Sequence, residues 1–272
     1  MAYRTIGFIG CGNMGGALAK CAAKRIAEDG GRLLLANRTG EKAETLAAEL
    51  GAQVGTNMEL AAACDLLFLA VKPQMLPEML IGISKTLAAR KDRFVLVSMV
   101  TGVTTERLQT LAGGAYPVIR IMPNTAAAVG AGMIQYCARG ATEAEQNAFC
   151  NLMQDAGVLD PLPERLLDAA SAVSGCGPAY LCLALEGMAD GGVALGLPRE
   201  KAIRYAAQTL VGLGALQLGT GLHPGVLKDQ VTSPGGTTIQ GVRKLENFSV
   251  RAAFTEAVIA AYERTAALKE ST

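Results

Sequence analysis

The chain has 272 residues, a formal net charge of +1 and a pI near 7.5. This balance excludes a strongly basic nucleic-acid-binding protein, for which a pI above about 9 is typical. Hydrophobic residues make up 50% of the chain and aromatic residues only 4%, so we expect a globular protein with a mainly aliphatic core. The length suits one large domain or two smaller ones, at roughly 100–200 residues per domain.

The seven cysteines are scattered without a C-x-x-C pair, and the chain has a single histidine. This set fits neither a disulfide framework nor a zinc centre, so we expect no metal site. Unpaired cysteines favour a reducing, cytoplasmic compartment. The most apolar stretch, residues 179–197, contains Glu186, Asp190 and four glycines, so we expect no membrane role.

The first part of the chain alternates short apolar runs with segments of helical period. The predicted strands are residues 5–9, 32–36, 65–71, 93–99, 117–122 and 132–137. Strands that alternate with helices predict a parallel sheet with helices on both faces. From residue 163 onwards only helical segments follow, at 163–172, 178–195, 199–218, 224–231, 236–247 and 250–269. The predicted fold is α/β, with a Rossmann-like dinucleotide-binding domain (1–162) followed by an all-α domain (163–272).

The motif G-C-G-N-M-G follows the first predicted strand directly and opens the first predicted helix. In this context Gly10 permits the tight turn, Gly12 lets a pyrophosphate approach the backbone, and Gly15 permits close packing of helix on strand. The helix start at Asn13 and Met14 offers free N–H groups to an anion. The motif predicts dinucleotide binding; the alternative is a glycine turn kept only for packing.

The end of the second strand distinguishes the two nicotinamide cofactors. An enzyme that uses NADH usually has a carboxylate here, which bonds the ribose hydroxyls. This chain has Asn37, Arg38 and Thr39 instead, with Lys42 in the next helix. Donors and cations suit a 2′-phosphate, so we expect NADPH, with NADH possible. The alternative is that Thr39 caps the helix while Arg38 and Lys42 are solvated charges.

Two further strand ends and one helix start are expected around the same cofactor. Pro73 suits the first turn of a helix, and residues 98–102 are expected beside the nicotinamide. Asn57 is predicted to be the N-cap of helix 58–63, or to contact the adenosine end of the cofactor. The backbone that we expect against the ribose and pyrophosphate belongs to Ala70, Val71, Lys72 and Pro73.

Five segments together carry a family resemblance over nearly the whole chain. They are residues 6–15 (IGFIGCGNMG), 68–74 (FLAVKPQ), 120–132 (RIMPNTAAAVGAG), 174–180 (SGCGPAY) and 227–246 (LKDQVTSPGGTTIQGVRKLE). The chain resembles the pyrroline-5-carboxylate reductases, the last enzymes of proline biosynthesis. The last segment is the most specific, because a Rossmann fingerprint is shared by many functions.

A glycine-rich turn at residues 233–238 opens a predicted helix in this last segment. Free N–H groups converge at a helix start and suit a carboxylate. The resemblance implies that Gly235, Gly236, Thr237 and Thr238 bind the substrate, with Thr238 as the catalytic residue beside the ring nitrogen. The alternative is an N-cap threonine pair and nothing more.

The resemblance implies roles for other residues of the second domain, but their match to the family is less specific. Glu164 matches a position that contacts the ligand, although a first-turn Glu is also a common helix-dipole partner. Gln230 falls where some members have an Asn that reaches the cofactor, and Cys176 stands where a Ser is usual. His223 is interpreted as a loop residue before a helix.

The implied reaction is hydride transfer from NADPH to the C=N carbon of the cyclic imine pyrroline-5-carboxylate, which gives L-proline. The resemblance also implies an obligate homodimer, with assembly of such dimers into a decamer as a further level, and a small-molecule substrate as the other partner. One alternative is a β-hydroxyacid-type dehydrogenase, which needs a catalytic Lys that residues 178–195 lack. Another is a non-catalytic NADP-sensing protein, which has no use for the turn at Thr237 and Thr238.

Overall fold

An eight-stranded sheet dominates the first part of the chain in the computed structural model, which describes residues 3–270. The strands are β1 (Thr5–Ile9), β2 (Arg32–Ala36), β3 (Gln53–Val54), β4 (Leu66–Leu69), β5 (Val95–Ser98), β6 (Val118–Met122), β7 (Gly132–Arg139) and β8 (Gly157–Pro161). Their order across the sheet is β3-β2-β1-β4-β5-β6-β7-β8. All pairs are parallel except β6 with β7.

The helices alternate with the strands and then continue alone. They are α1 (Asn13–Glu28), α2 (Gly40–Leu50), α3 (Asn57–Ala63), α4 (Leu76–Ala89), α5 (Thr105–Ala112), α6 (Glu143–Met153), α7 (Glu164–Ser174), α8 (Gly177–Ala194), α9 (Arg199–Thr220), α10 (Pro224–Gln230), α11 (Thr237–Asn247) and α12 (Val250–Glu270). The α/β prediction and the all-helical second part are confirmed. By its contacts the chain divides into two units, one with residues up to Cys176 and from Ala261, the other Gly177–Ala260. The functional boundary between residues 162 and 163 stays a prediction.

The six predicted strands are present, and two further strands, β3 and β8, were not predicted. β3 has two exposed residues, and β8 ends at a proline with mostly exposed side chains. Neither sequence shows the apolar run or alternation that marks a strand. Both lie at the edges of the sheet, where pairing with one neighbour defines them.

Two buried apolar clusters cover the two faces of the sheet. Along β1, Phe8 belongs to one cluster and Ile9 to the other, because side chains alternate across a strand. Phe8 stacks on Phe68 of β4 with ring centroids 4.2 Å apart. Full burial of such a side chain contributes about 2–3 kcal/mol. The buried centre of the sheet therefore positions the ends of β1 and β4 next to each other.

The second unit buries little of its apolar surface within one chain. Large hydrophobic side chains of its helices are exposed, among them Leu183 (72%), Leu195 (90%), Val211 (64%), Leu218 (86%) and Phe248 (79%). Among the described residues, Glu164–Ala194 is long and apolar enough to cross a membrane, and the bent pair Arg199–Thr220 and Pro224–Gln230 meets the same criterion together. Exposed apolar helices occur both in membrane proteins and at subunit interfaces. The expected absence of a membrane role therefore stays a prediction.

Candidate active site

The glycine-rich loop joins β1 to α1 as predicted. The N–H of Gly10 donates to the Ala36 carbonyl oxygen at 2.8 Å, which holds the loop against the end of β2. Helix α1 begins at Asn13, with Gly12 as its N-cap and no side-chain capping bond. The first N–H groups of the helix are therefore open to an anion from outside the chain.

The three motif glycines differ in what requires them. A Cβ on Gly10 would lie 2.4 Å from the Ala70 carbonyl oxygen, and a Cβ on Gly15 would lie 2.2 Å from the Gly10 oxygen. The fold itself therefore excludes any side chain at these two positions. A Cβ on Gly12 would meet nothing within 4 Å. The space over Gly12 suits a ligand that approaches the backbone closely.

The polar end of β2 is bonded to the glycine loop. Asn37 Oδ1 accepts a hydrogen bond from the Cys11 N–H at 3.0 Å, and Asn37 Nδ2 donates to the Thr39 carbonyl oxygen at 2.9 Å. Arg38 is exposed, which agrees both with a contact to a 2′-phosphate and with the alternative of a solvated charge. Thr39 is the N-cap of α2, as the alternative holds, although its hydroxyl makes no capping bond. Lys42 is exposed, so the alternative of a cap with solvated charges stays open.

A cavity of about 800 Å³ opens beside the loop, between α1 and α2. The cations Lys20 and Lys42 and the carboxylates Glu41 and Glu49 line it, and Lys20 pairs with Glu49 at 2.7 Å. The predicted cofactor residues that line it are Gly12 and Asn13. The cavity therefore continues from the open space over Gly12 along α1 and α2.

The end of β4 meets the loop from the other side. The Ala70 N–H donates to the Ile9 carbonyl oxygen at 2.8 Å, which aligns the two strand ends. Val71 is partly buried and Lys72 is exposed, and Pro73 opens a short 3₁₀ turn as predicted. The structure thus places these backbone segments at one edge of the sheet.

Asn57 is not the N-cap of α3, and this prediction is wrong. The cap is Thr56, whose hydroxyl accepts from the Glu59 N–H at 3.2 Å. Glu59 Oε2 accepts in return from the Thr56 N–H at 2.7 Å, and this bond lowers the pKa of Glu59. The reciprocal pair is a capping box, and the T-x-x-E spacing was visible in the sequence. Contact of Asn57 with the cofactor stays a prediction.

In the second unit, the glycine turn presents an uncapped helix start. Gly235 has φ +70°, and the Gly236 N–H donates to the Ser233 carbonyl oxygen at 3.0 Å. Gly236 is the N-cap of α11 and has no side-chain capping bond, while Thr237 and Thr238 are exposed in the first turn. The threonine-pair capping alternative is therefore wrong.

The neighbouring helix α10 ends at Gln230, which is exposed. His223 is its N-cap, and its Nδ1 accepts from the Gly225 N–H at 3.1 Å. The prediction of a residue before a helix is confirmed, and the imidazole has a local structural partner.

Glu164 is placed in the first unit at the start of α7. Its two carboxylate oxygens accept from the N–H and the hydroxyl of Thr105, both at 2.7 Å. The guanidinium of Arg120 lies 3.4 Å from Glu164 Oε1 and 2.6 Å from Asp168 Oδ1. Glu164 also lines a cavity of about 430 Å³, together with residues such as Arg139.

The comparisons with known proteins cover both parts of the chain. A family model for pyrroline-5-carboxylate reductase dimerisation matches residues 164–268, and one for NADP oxidoreductase, coenzyme F420-dependent, matches residues 5–102. The pyrroline-5-carboxylate reductase of Arabidopsis thaliana is 39% identical over 268 residues, 98% of this chain and 96% of that protein. The Escherichia coli enzyme of that name is 37% identical, over 98% of this chain and 99% of its own length. This chain belongs to the pyrroline-5-carboxylate reductase family.

Solved structures agree with this family assignment. The Plasmodium falciparum pyrroline carboxylate reductase, solved with NADP bound, has a TM-score of 0.87 at 30% identity and covers 99% of both chains. A Coxiella burnetii pyrroline-5-carboxylate reductase has a TM-score of 0.86 at 30% identity, covering 97% of this chain and 98% of its own. Neither the dehydrogenase nor the sensor alternative gains support from these comparisons.

The sequence analysis did not single out Arg120 or Asp168 as candidate functional residues. A signal was present, because Arg120 interrupts an apolar strand and Asp168 follows Glu164 by one helical turn. A charged residue in a buried strand requires partners, and the (i, i+4) acidic pair supplies them.

The cysteines carry no metal site in the part of the chain that the structure describes. No group of three or more His, Cys, Asp or Glu side chains is arranged to hold an ion between residues 3 and 270. Cys11 lies within the glycine-rich loop, and burial raises the pKa of its thiol to about 11, so the thiol stays protonated. Cys176 is partly buried, and its N–H donates to the Ser171 carbonyl oxygen at 3.1 Å.

Proposed function

We propose that this chain reduces the cyclic imine L-1-pyrroline-5-carboxylate to L-proline with a nicotinamide cofactor, as the last step of proline biosynthesis. The observation that carries the proposal is the near full-length similarity to reductases of that name. The geometry supports it, since the chain contains an open dinucleotide loop and a separate uncapped helix start. An uncapped helix start suits the single carboxylate of this substrate.

NADPH is the proposed cofactor, with NADH possible. The open space over Gly12 fits a pyrophosphate. The residues at the end of β2 are Asn37, Arg38 and Thr39, so none of them has a carboxylate that would repel a 2′-phosphate. NADPH, when bound, supplies the hydride. The residues proposed to hold it are Gly10, Gly12, Asn13, Met14, Gly15, Asn37, Arg38, Asn57, Ala70, Val71, Lys72, Pro73 and Gln230.

The turn formed by Gly235, Gly236, Thr237 and Thr238 is proposed to bind the substrate carboxylate through its backbone N–H groups. The hydroxyl of Thr238 is proposed to lie beside the ring nitrogen and to orient it. Hydride adds to the C=N carbon and a proton remains on nitrogen, so one imine, one hydride and one proton become one secondary amine, and NADPH becomes NADP+. An imine is far more basic than a ketone carbonyl and can enter protonated, so the residues need mainly to orient it.

A homodimer is the proposed assembly, in the cytoplasm, with a decamer built from such dimers as a further level. The match to a dimerisation family model supports self-association. The exposed apolar side chains of α8 and α9 supply surface for it. Residues 1–162 are proposed as the cofactor domain and 163–272 as the dimerisation and substrate domain.

The test follows NADPH in the presence of the purified full chain and either of two substrates: its oxidation with pyrroline-5-carboxylate, and its formation from NADP with 3-hydroxyisobutyrate. Pyrroline-5-carboxylate is expected to be turned over, and 3-hydroxyisobutyrate with NADP is expected not to react. Turnover of the hydroxy acid alone would favour the dehydrogenase alternative. NADPH binding without either reaction would favour the sensor alternative.

A further inference from the structure

Arg120 occupies an unusual place for a cation. It lies in the middle of β6, and its side chain is fully buried. Removal of a charge from water is costly, and a well-packed apolar side chain would often stabilise such a position equally well. Its two partners, Glu164 and Asp168, both lie on α7. The charges therefore tie one strand to one helix in a defined register.

Glu164 extends this link to a third element. Its carboxylate accepts hydrogen bonds from the N–H and the hydroxyl of Thr105, the first residue of α5, and Thr105 is itself only 1% exposed. A carboxylate at a helix N-terminus is favourable, because the helix dipole and the free N–H of the first residue attract it; the side chain of Thr104, the N-cap of α5, engages the Arg107 N–H instead. We call Thr105, Arg120, Glu164 and Asp168 the charge cluster.

The charge cluster is bonded to the end of the loop that follows β5, because Thr105 is the first residue after that loop. Residues 99–104 connect Ser98 to Thr105, and Gly102 within them has φ +78°. Ser98 pairs in register with Leu69, which pairs in turn with Ile9 at the base of the glycine loop. Residues 99–104 therefore leave the same edge of the sheet as the dinucleotide loop, two strands away. In doubly wound folds a dinucleotide lies along this edge.

We propose that Glu164 and Arg120 are positioning residues that hold residues 99–104 in place for the nicotinamide end of the cofactor. The inference rests on the proposed function. It assigns to Glu164 a role different from the substrate contact that the family resemblance implies, because Thr105 and Arg120 already engage both carboxylate oxygens. Arg120 acts through Glu164, and neither side chain touches the reacting atoms.

The test compares Glu164→Gln and Thr105→Val with wild type in the full-length protein. Both substitutions keep the approximate shape and weaken the same link. The first readout is the fluorescence of bound NADPH, which arises from the nicotinamide ring and reports how rigidly the ring is held. The second is the Kd of 2′,5′-ADP, which probes only the adenosine end. Steady-state kcat, the KM of pyrroline-5-carboxylate and Tm complete the set.

Both variants are expected to reduce the fluorescence enhancement of NADPH and to lower kcat by about tenfold to a hundredfold, because small displacements of a reactant have effects of this size. The Kd of 2′,5′-ADP and the KM of the imine are expected to change less than about twofold, and the double variant to be no worse than the poorer single one. If Glu164→Gln does not fold, Thr105→Val provides the same comparison.

Two results would overturn the inference. A raised KM for the imine with unchanged kcat and NADPH fluorescence would show a substrate contact at Glu164. A lower Tm with all binding and kinetic values unchanged would show packing alone. Failure of the proposed function is distinct, since wild type would then show no imine turnover whatever the fluorescence of the variants.

Discussion

Asn37 Oδ1 accepts a hydrogen bond from the Cys11 N–H at 3.0 Å, so the end of β2 and the glycine loop are fixed to one another. The residue proposed to help distinguish NADPH from NADH also supports the loop that is proposed to bind the pyrophosphate. Substitutions here therefore separate two effects. One depends on charge and acts on the 2′-phosphate, and the other depends on the hydrogen bond and acts on both cofactors.

Asn37→Asp is expected to shift preference from NADPH towards NADH. The carboxylate keeps an acceptor for the Cys11 N–H but repels the 2′-phosphate, so the NADPH to NADH ratio of kcat/KM is expected to fall about tenfold to a hundredfold. Steady-state kinetics with each cofactor measures it. Asn37→Ala is the control, because loss of the hydrogen bond is expected to weaken both cofactors with a smaller change in the ratio. An unchanged ratio in Asn37→Asp would contradict the assignment.

Gly12→Ala is expected to weaken NADPH binding by about tenfold or more without lowering Tm. Gly12 has φ −75° and open space where a Cβ would lie, so the folded chain accepts a methyl group that a pyrophosphate does not. Gly15→Ala is the matched comparison, because its Cβ would overlap the Gly10 carbonyl oxygen. That variant is expected to lose about 1–3 kcal/mol of unfolding free energy or more. Equal Tm losses in the two variants would argue against ligand approach at Gly12.

The conformation of the glycine-rich loop could be predicted because the patterns that define it are local. The strand, the glycine turn and the helix from Asn13 are contiguous in sequence, and each is defined by its own residues. The capping box of Thr56 and Glu59 is equally local, and the prediction at Asn57 failed because a good cap residue stands beside a better one. The sequence signals that a buried Arg120 needs acidic partners, but it does not identify them, because Glu164 and Asp168 lie 44 and 48 residues further along the chain, on α7.

Thr238→Ala is expected to lower kcat/KM for pyrroline-5-carboxylate by about tenfold to a hundredfold, the effect of one lost hydrogen bond to a charged group. Thr238→Ser keeps the hydroxyl and is expected to retain most of the activity. The affinity for NADPH, measured separately, is expected to be unchanged in both variants. An alanine variant with wild-type kcat/KM would remove Thr238 from the site while leaving the function intact.

Val211→Glu is expected to dissociate the proposed homodimer. Val211 is 64% exposed on α9 in the single chain, and an unpaired carboxylate in a buried interface is strongly unfavourable. Light scattering coupled to size-exclusion chromatography is expected to give twice or more the 28.1 kDa chain mass for wild type and a lower mass for the variant. Ile81→Glu is the control, because Ile81 is similarly exposed (65%) but belongs to α4 of the other unit. An unchanged mass for Val211→Glu would place the interface elsewhere.

Glu145 is expected to make the first unit sensitive to acid. Its bond to Arg93, and then its bonds to Thr142, hold the pKa of this carboxyl below its usual range. A lowered pKa in the folded state gives stability that is present above the unfolded pKa and is lost as pH falls through the folded value. Tm between about pH 3 and pH 6 is expected to fall less steeply for Glu145→Gln than for wild type. Parallel curves would contradict this.

The sheet edges show why the remaining parts of the fold escaped prediction. β8 is identified by its pairing of Val158 with Met133, and its side chains carry no apolar pattern. Helical segments of the second unit were predicted correctly because their Gly and Pro boundaries are local. The exposed apolar side chains of α8 and α9 show no marked one-sided stripe, which suits surfaces covered by another subunit rather than by the same chain.

The most direct measurement of the central claim is the stoichiometry of the reaction. Purified protein is incubated with pyrroline-5-carboxylate and NADPH, and both NADPH consumption and L-proline formation are quantified, the latter by chiral amino-acid analysis. The account predicts one L-proline for each NADPH oxidised, with none formed when the protein or the cofactor is omitted. NADPH oxidation without proline, or no reaction of the imine at all, would contradict it.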